Sequence, residues 1–94
     1  MTYELAFDPR AWREWHKLGE TIKKQFKNKL QQVVQNPRIA SASLSDLPDC
    51  YKIKLKASGY RLVYQVRDSV VVVYVIAIGK REKAAVYHQA NKRL

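Results

Sequence analysis

Three stretches in the second half of the chain alternate apolar with polar side chains or are continuously apolar. They cover about Cys50 to Lys56, about Tyr60 to Arg67 and about Val70 to Gly79. Successive side chains of a β-strand point to opposite faces, so this pattern predicts three strands. The short gaps between them predict two hairpins and an antiparallel sheet. The third stretch is apolar on both faces, which favours a central position in that sheet.

The first half predicts one strand followed by two helices. Alternation from Thr2 to Phe7 indicates the strand, and Asp8-Pro9 then provides a helix cap and a proline at the first helical position. Apolar residues at helical spacing follow up to Asn36-Pro37 and form two stripes: Ala11, Trp12, Trp15 and Leu18, then Ile22, Phe26, Leu30, Val33 and Val34. Residues 38 to 49 read as a connecting loop, and helical spacing returns after Lys80.

These elements predict an α+β fold with a single domain over residues 1–94. We expect an N-terminal strand, two helices packed on one face of a roughly four-stranded, mainly antiparallel sheet, and a short C-terminal helix. The two apolar stripes need one sheet face to cover them. The opposite face is therefore expected to be open, and Trp12, Trp15, Phe26 and Leu30 are expected to be buried.

Charge is unevenly distributed over the two halves of the chain. Residues 1–50 hold eight basic and six acidic side chains, whereas residues 51–94 hold ten and two, so +8 of the net charge of +10 lies in the second half. Lys52, Lys54 and Lys56 share one strand face by the period of two, and a tight hairpin brings Arg61 beside them. A cationic surface with tyrosines nearby suits a polyanion such as RNA. The alternative interpretation is an ordinary solvated charged face.

Several other classes of protein fit the sequence poorly. The single Cys50 excludes an internal disulfide, and the longest apolar run, Val70 to Ile78, is too short for a membrane span. The N-terminus lacks the pattern of a secretory signal. We therefore expect a cytoplasmic protein that does not interact with membranes.

Conventional catalytic sets are also poorly supported. His16 and His88 lie on different predicted helices, and Glu82 is flanked by Arg81 and Lys83. The three glycines are isolated, so no phosphate-binding loop is indicated, and the acidic residues do not cluster as metal-dependent nuclease chemistry requires. The sequence predicts no cofactor and no metal site.

Five segments give the chain a resemblance to a known family: "DPRAWREWHKLG", "NPRI", "LPDCYKIKL", "SGYRLVYQV" and "IGKRE…VY". Over essentially its whole length the chain resembles the RelE branch of the RelE/ParE toxin superfamily. The resemblance implies a toxin of a type II toxin–antitoxin system, an endoribonuclease that cleaves mRNA in the ribosomal A site and inhibits translation. It also implies three partners: a RelB-like antitoxin, the 70S ribosome with its A-site mRNA, and operator DNA through the antitoxin complex only.

The same resemblance implies which residues act in catalysis. The family's functional positions fall on Lys52, Lys54, Arg61, Arg81 and Tyr87, and none is replaced. Lys56, Lys80 and Lys83 are expected to bind RNA beside them.

Cleavage through the 2′-OH of RNA needs a base, cations that stabilise the charge on the phosphate, and an acid for the leaving oxygen. Lys54, assisted by Lys52, is the candidate base, since neighbouring cations lower the pKa of a lysine. Arg61 is expected to stabilise the scissile phosphate, Arg81 to act as acid or clamp, and Tyr87 to stack on or orient a base. Which lysine is the base, and whether Arg81 donates a proton, stay open.

Two other functions fit part of the sequence. A ParE-like gyrase inhibitor would share the superfamily but would not need the five candidate catalytic residues together. A non-enzymatic RNA- or ribosome-binding module would share the charge pattern, so only an activity assay separates it from a nuclease.

Overall fold

The computed structural model describes residues 2–44, 47–80 and 85–94, which form four strands and three helices. In chain order these are β1 (Glu4–Phe7), α1 (Pro9–His16), α2 (Glu20–Val33), β2 (Cys50–Lys54), β3 (Tyr60–Arg67), β4 (Val72–Lys80) and α3 (Ala85–Arg93). The element types and their order confirm the α+β fold expected from the sequence.

The four strands form one mixed sheet in the order β1-β4-β3-β2. The pairs β2/β3 and β3/β4 are antiparallel, and β1 runs parallel to β4. The central position of β4 agrees with its apolar character on both faces. A register shift at Val63/Tyr64 leaves Ile76 of β4 as an extra residue, because Val63 pairs with Ala77 and Tyr64 with Val75.

Helix α1 begins where the Asp8-Pro9 pair predicts. Asp8 accepts a hydrogen bond from the backbone N–H of Arg10 at 2.8 Å, and Pro9 is the first helical residue. The Arg10 guanidinium also binds the Asp8 carboxylate, with Nη2 3.0 Å from Oδ2. These hydrogen bonds lower the pKa of Asp8 to about 2, against an opposing contribution from burial.

One face of the sheet packs against α1 and α2, and we call it the helix-covered face. Its core includes Phe26 and Leu30 from α2, Ala11 from α1, and the strand residues Tyr51, Ile53, Leu62, Tyr64, Val66, Val73, Val75 and Ile78. Phe26 and Leu30 are buried as expected. The expectation for Trp12 was wrong: 48% of it is exposed, because it lies at the edge of the core between Phe7 and His16.

The opposite face carries Lys52, Lys54 and Arg61, and we call it the cationic face. It is not fully open, which corrects the expectation from the sequence. Val86 and Ala90 of α3 pack on it and bury a second, smaller cluster with Leu47, Cys50, Val63, Ile76 and Ala77. The C-terminal helix therefore covers the part of this face that is apolar.

Two connections differ from the expected hairpins. β2 ends at Lys54, and the turn that follows is closed by a hydrogen bond from Gly59 N to the carbonyl of Leu55, with Gly59 at φ 78°. The second connection is a 3-10 turn over Asp68–Val70, followed by Val71 in the left-handed region at φ 56°. Residues 55–56 and 70–71, which the alternation had assigned to strands, therefore belong to these turns.

Candidate functional site

The candidate site is built on the β2–β3 hairpin. Lys54 pairs directly with Arg61 and Lys52 with Val63, so the three cationic side chains stand on one face of the sheet. Lys54 is exposed, whereas Lys52 and Arg61 are half-buried. The alternation of β2 thus produces the clustering that the sequence predicted for these three residues.

Helix α3 adds Tyr87 to this cluster from far along the chain. Arg61 Nη1 donates a hydrogen bond to the Tyr87 hydroxyl at 3.0 Å, and Arg61 Cζ lies 5.9 Å from the centre of the ring. Gly79 pairs with Arg61 on the next strand, and a glycine there places no side chain beside Arg61. The contact fixes the direction of the guanidinium, and it was not foreseen from the sequence.

Two of the predicted RNA-binding lysines lie apart from this cluster. Lys56 is exposed in the turn after β2, so the period of two does not extend to it. Lys80 pairs with Tyr60 on the other face of the sheet, and its Nζ lies 5.6 Å from the centre of the Tyr60 ring. Arg81 and Lys83 lie outside the described residues. The structure therefore brings together Lys52, Lys54, Arg61 and Tyr87.

A second arginine–tyrosine pair lies at the far end of the cationic face. Arg67 Cζ is 4.0 Å from the centre of the Tyr74 ring, and Arg67 Nε donates to Gln65 Oε1 at 2.8 Å. Arg67 shares strand β3 and its outward direction with Arg61. Sequence reasoning missed this pair, although the period of two from Arg61 leads directly to Arg67.

Five of the six acidic side chains that the structure describes form ion pairs with cations outside the cluster. Asp8 binds Arg10, Glu14 binds Arg93, Glu20 binds Lys23, and Asp49 and Asp68 bind Arg38. These five carboxylates therefore bind cations elsewhere in the molecule, and the hairpin concentrates the positive side chains Lys52, Lys54 and Arg61 on one face. Such a cluster attracts phosphate, and a directed guanidinium suits an oxygen on which negative charge develops.

A groove of about 790 Å³ lies on the other side of the molecule, between β1, α1 and α2. Its floor includes Leu5 and Trp12, which are 43% and 48% exposed, and Lys23, Lys24 and Lys27 line its rim. An exposed apolar surface bordered by charges is typical of a protein-interaction site.

The described residues contain neither a metal-binding cluster nor a membrane-spanning helix. Within residues 2–44, 47–80 and 85–94, no three His, Cys, Asp or Glu side chains lie close enough to hold a metal ion. In the same part of the chain, no helix is long and apolar enough to cross a membrane.

Comparisons with known proteins agree with one another. A sequence profile described as "ParE toxin of type II toxin-antitoxin system, parDE" matches residues 5–85. The chain is 57% identical to the mRNA interferase toxin RelE of Escherichia coli K12 over 94 residues, covering 100% of this chain and 99% of RelE.

Solved structures of E. coli RelE have the same fold. A double arginine-to-alanine mutant of RelE in the free state superposes with a TM-score of 0.93 at 56% identity, covering 100% of this chain and 99% of that one. RelE in the intact E. coli RelBE toxin–antitoxin complex gives 0.84 at 58% identity, covering 86% and 99%. The profile match, the full-length identity and the shared fold together show that the chain belongs to the RelE/ParE family of type II toxin–antitoxin toxins.

Proposed function

We propose that this protein is the toxin of a type II toxin–antitoxin system and acts as an mRNA interferase. In this proposal residues 1–94 form one catalytic domain that cleaves mRNA in the ribosomal A site, without a metal, and so inhibits translation in the cytoplasm. The observation that carries the proposal is the meeting of Lys52, Lys54, Arg61 and Tyr87 on the cationic face. The 57% full-length identity to a protein named mRNA interferase supports it.

The proposed reaction is attack by the 2′-OH of the RNA on the adjacent phosphate. Lys54, assisted by Lys52, takes the hydroxyl proton, and Arg61 stabilises the negative charge that builds up on the phosphate. Tyr87 stacks on or orients a base beside the cut. The products are a 2′,3′-cyclic phosphate on one fragment and a free 5′-OH on the other.

A lysine base sets a demanding condition, because a free lysine with a pKa near 10.4 is almost wholly protonated at neutral pH. Nearby cations destabilise the charged form, and Arg61 stands directly opposite Lys54 in the sheet. Arg81 is assigned by resemblance to the leaving oxygen, as acid or as clamp. The high pKa of arginine favours the clamp, in which case solvent water supplies the proton that the leaving 5′ oxygen takes up.

The ribosome is proposed to contribute the positioning that this site lacks. An enzyme without a histidine or glutamate base depends heavily on the orientation of its substrate, and orientation alone is worth a large part of a reaction barrier. We therefore expect slow cleavage of free RNA and fast cleavage of mRNA held in the A site.

A RelB-like antitoxin is the proposed protein partner, as in the RelBE complex of E. coli. The apolar groove between β1, α1 and α2 offers an exposed surface, and its lysine rim complements an acidic or amphipathic segment. Operator DNA is proposed to be bound only through the antitoxin complex. Antitoxin binding that is insensitive to salt and leaves ribosome association unchanged would contradict this part of the proposal.

Gyrase inhibition is the second candidate function, because the matching profile is named after ParE. The cluster of Lys52, Lys54, Arg61 and Tyr87 argues against it, since a gyrase inhibitor has no need for a phosphate-activating site. A non-enzymatic ribosome-binding module shares the charge pattern but predicts no cut.

One experiment separates the three. Purified protein is incubated with ribosomes programmed with a defined mRNA, and the 3′ ends of the fragments are mapped and tested for a cyclic phosphate, with free mRNA and a DNA-supercoiling assay with gyrase in parallel. The proposal predicts a cut inside the A-site codon, made in the presence of a chelator, and no effect on gyrase. An intact mRNA with inhibited supercoiling would support the ParE-like function instead, and ribosome binding without a cut would support the non-enzymatic module.

A further inference from the structure

The C-terminal helix α3 is held at its end by a side-chain network rather than by apolar packing alone. Arg93 Nη1 donates to Glu14 Oε1 of α1 at 2.9 Å and to the carbonyl oxygen of Ile76 in β4 at 2.8 Å. Only 8% of the Arg93 side chain is exposed. The Glu14 side chain is 28% exposed, so the ion pair is a partly buried connection between α3, α1 and the sheet.

The network occupies the edge of β4 beyond the end of β1. Pairing between β1 and β4 extends as far as Val75. Beyond Val75, backbone groups of β4 form hydrogen bonds with side chains instead of with β1. The backbone N–H of Ile78 donates to Glu14 Oε1 at 3.1 Å, and the Ile76 carbonyl accepts from Arg93. Glu14 and Arg93 thus bind each other and also provide hydrogen-bond partners for the backbone of Ile78 and Ile76. Removing either side chain leaves one of these buried backbone groups without that partner.

Helix α3 depends on such an anchor. It has nine residues, fewer than the roughly 12–15 that an isolated helix needs to be stable in water. From residue 86 onward, its fully buried apolar side chains are Val86 and Ala90, both small. The same helix carries Tyr87, about 9 Å from Arg93 along the axis at a rise of 1.5 Å per residue.

We propose that Arg93 and Glu14 are positioning residues for cleavage: they fix α3 on the sheet and thereby hold the Tyr87 ring beside Arg61. The expected effect on cleavage rests on the proposed function, whereas the attachment of α3 to the sheet by this ion pair does not. A displacement of about 1 Å at a reacting group is enough to cost on the order of a hundredfold in rate. Loss of the anchor changes the average position of Tyr87 without removing any group that touches the RNA.

The test is a double-mutant cycle on programmed ribosomes. We expect Arg93→Ala to lower the single-turnover cleavage rate about tenfold, with ribosome affinity changed less than twofold. In a Tyr87→Ala background the same substitution is expected to change the remaining rate less than twofold, because Arg93 acts through Tyr87. Glu14→Gln is expected to reproduce the pattern more weakly, and Lys92→Ala, which removes a neighbouring exposed cation of α3, is the matched control with an unchanged rate.

Amide hydrogen exchange of α3 gives a readout that needs no activity. We expect Arg93→Ala to accelerate exchange across residues 86–93 at least tenfold relative to β3, and Lys92→Ala to leave it unchanged. Unaltered exchange in α3, or the same loss of rate with and without Tyr87, would overturn the inference. A wild-type protein that binds programmed ribosomes without cutting them would overturn the proposed function and the catalytic consequence, whereas the exchange result would still decide whether the ion pair anchors α3.

Discussion

The two faces of the sheet differ in what covers them. The helix-covered face is closed by two helices with large side chains such as Phe26 and Leu30. In the part of the chain that the structure describes, the apolar part of the cationic face is covered by the short helix α3, through Val86 and Ala90, and by Leu47. Beside that apolar part, the cationic face holds Lys52, Lys54 and Arg61. A single sheet thus has a face that stabilises the fold and a face that presents charge to a ligand.

This division has a physical basis. Like charges placed close together repel one another, and half-burying a cation costs free energy, so a cationic cluster destabilises the protein that carries it. Burial of large apolar side chains on the other face offsets that cost. The comparison predicts that substitutions on the helix-covered face change stability, and that substitutions on the cationic face change cleavage.

The largest expected effect is on the helix-covered face. Phe26 is fully buried and contacts Trp15 with ring centres 6.5 Å apart. We expect Phe26→Ala to lower the free energy of unfolding by about 3–5 kcal/mol. Val86→Ala, a smaller truncation on the cationic face that removes two buried carbons, is expected to cost about 1.5–2 kcal/mol. Urea denaturation of both variants checks this, and equal losses would show that the two faces contribute alike.

The next largest effect concerns cleavage. Tyr87→Ala and Arg81→Ala are expected to lower the single-turnover rate on programmed ribosomes about a hundredfold, close to 3 kcal/mol of transition-state stabilisation, with little change in ribosome affinity. Lys83→Ala is expected to weaken binding in a salt-dependent way and to leave the rate once bound nearly unchanged. If Tyr87→Ala and Arg81→Ala cut at the wild-type rate once bound, the catalytic roles are wrong.

A smaller effect is expected at Asp8, which caps α1 and accepts a hydrogen bond from Tyr74 of the cationic face at 3.4 Å. Asn is an equally good helix cap, so Asp8→Asn keeps the cap but removes the charge and one of the two oxygens that accept from Arg10. The pKa of Asp8 is lowered to about 2, so its carboxylate stabilises the fold above the unfolded-state pKa near 3.9, and this contribution is lost as the pH falls through about 2.

We therefore expect Asp8→Asn to cost about 1–2 kcal/mol at pH 7 and at pH 5. The difference in unfolding free energy between Asp8→Asn and wild type should decrease steadily below pH 4. Unfolding free energies at pH 7, 5 and 3 measure it. A difference independent of pH over this range would mean that the ion pair with Arg10 contributes nothing to stability.

The smallest effect is expected at Lys80, which projects from the helix-covered face over Tyr60. Lys80→Ala should change the single-turnover rate less than threefold, whereas Lys52→Ala on the cationic face should lower it at least tenfold. If Lys80→Ala lowered the single-turnover rate as much as Lys52→Ala does, the substrate would have to contact both faces of the sheet.

Local patterns in the sequence predicted most of the fold. The alternation places β3 at its observed bounds, and Asp8-Pro9 marks the start of α1, since both signals depend on near neighbours. The parallel pairing of β1 with β4 has no local signal, because it joins residues nearly seventy positions apart. The turn after β2 likewise removed Lys56 from the strand face to which alternation had assigned it.

The candidate site was predictable in part. Lys52, Lys54 and Arg61 follow from strand periodicity and a short hairpin, which are both local. The contact of Tyr87 with Arg61 depends on how α3 docks on the sheet, and the anchor for that docking is an ion pair between Glu14 and Arg93, 79 positions apart. Contacts between side chains so far apart in the chain produce no periodic pattern in the sequence, so they could not be predicted from it.

The central claim is that the chemistry belongs to the Lys54–Arg61–Tyr87 end of the cationic face. Arg61 and Arg67 provide a matched pair, since both lie on β3, point to the same face and contact a tyrosine ring. The decisive measurement is the single-turnover rate of A-site mRNA cleavage for Arg61→Ala and Arg67→Ala at saturating ribosomes. The account predicts a loss of about a hundredfold or more for Arg61→Ala and less than twofold for Arg67→Ala. Equal losses, or a larger loss at Arg67, would contradict it.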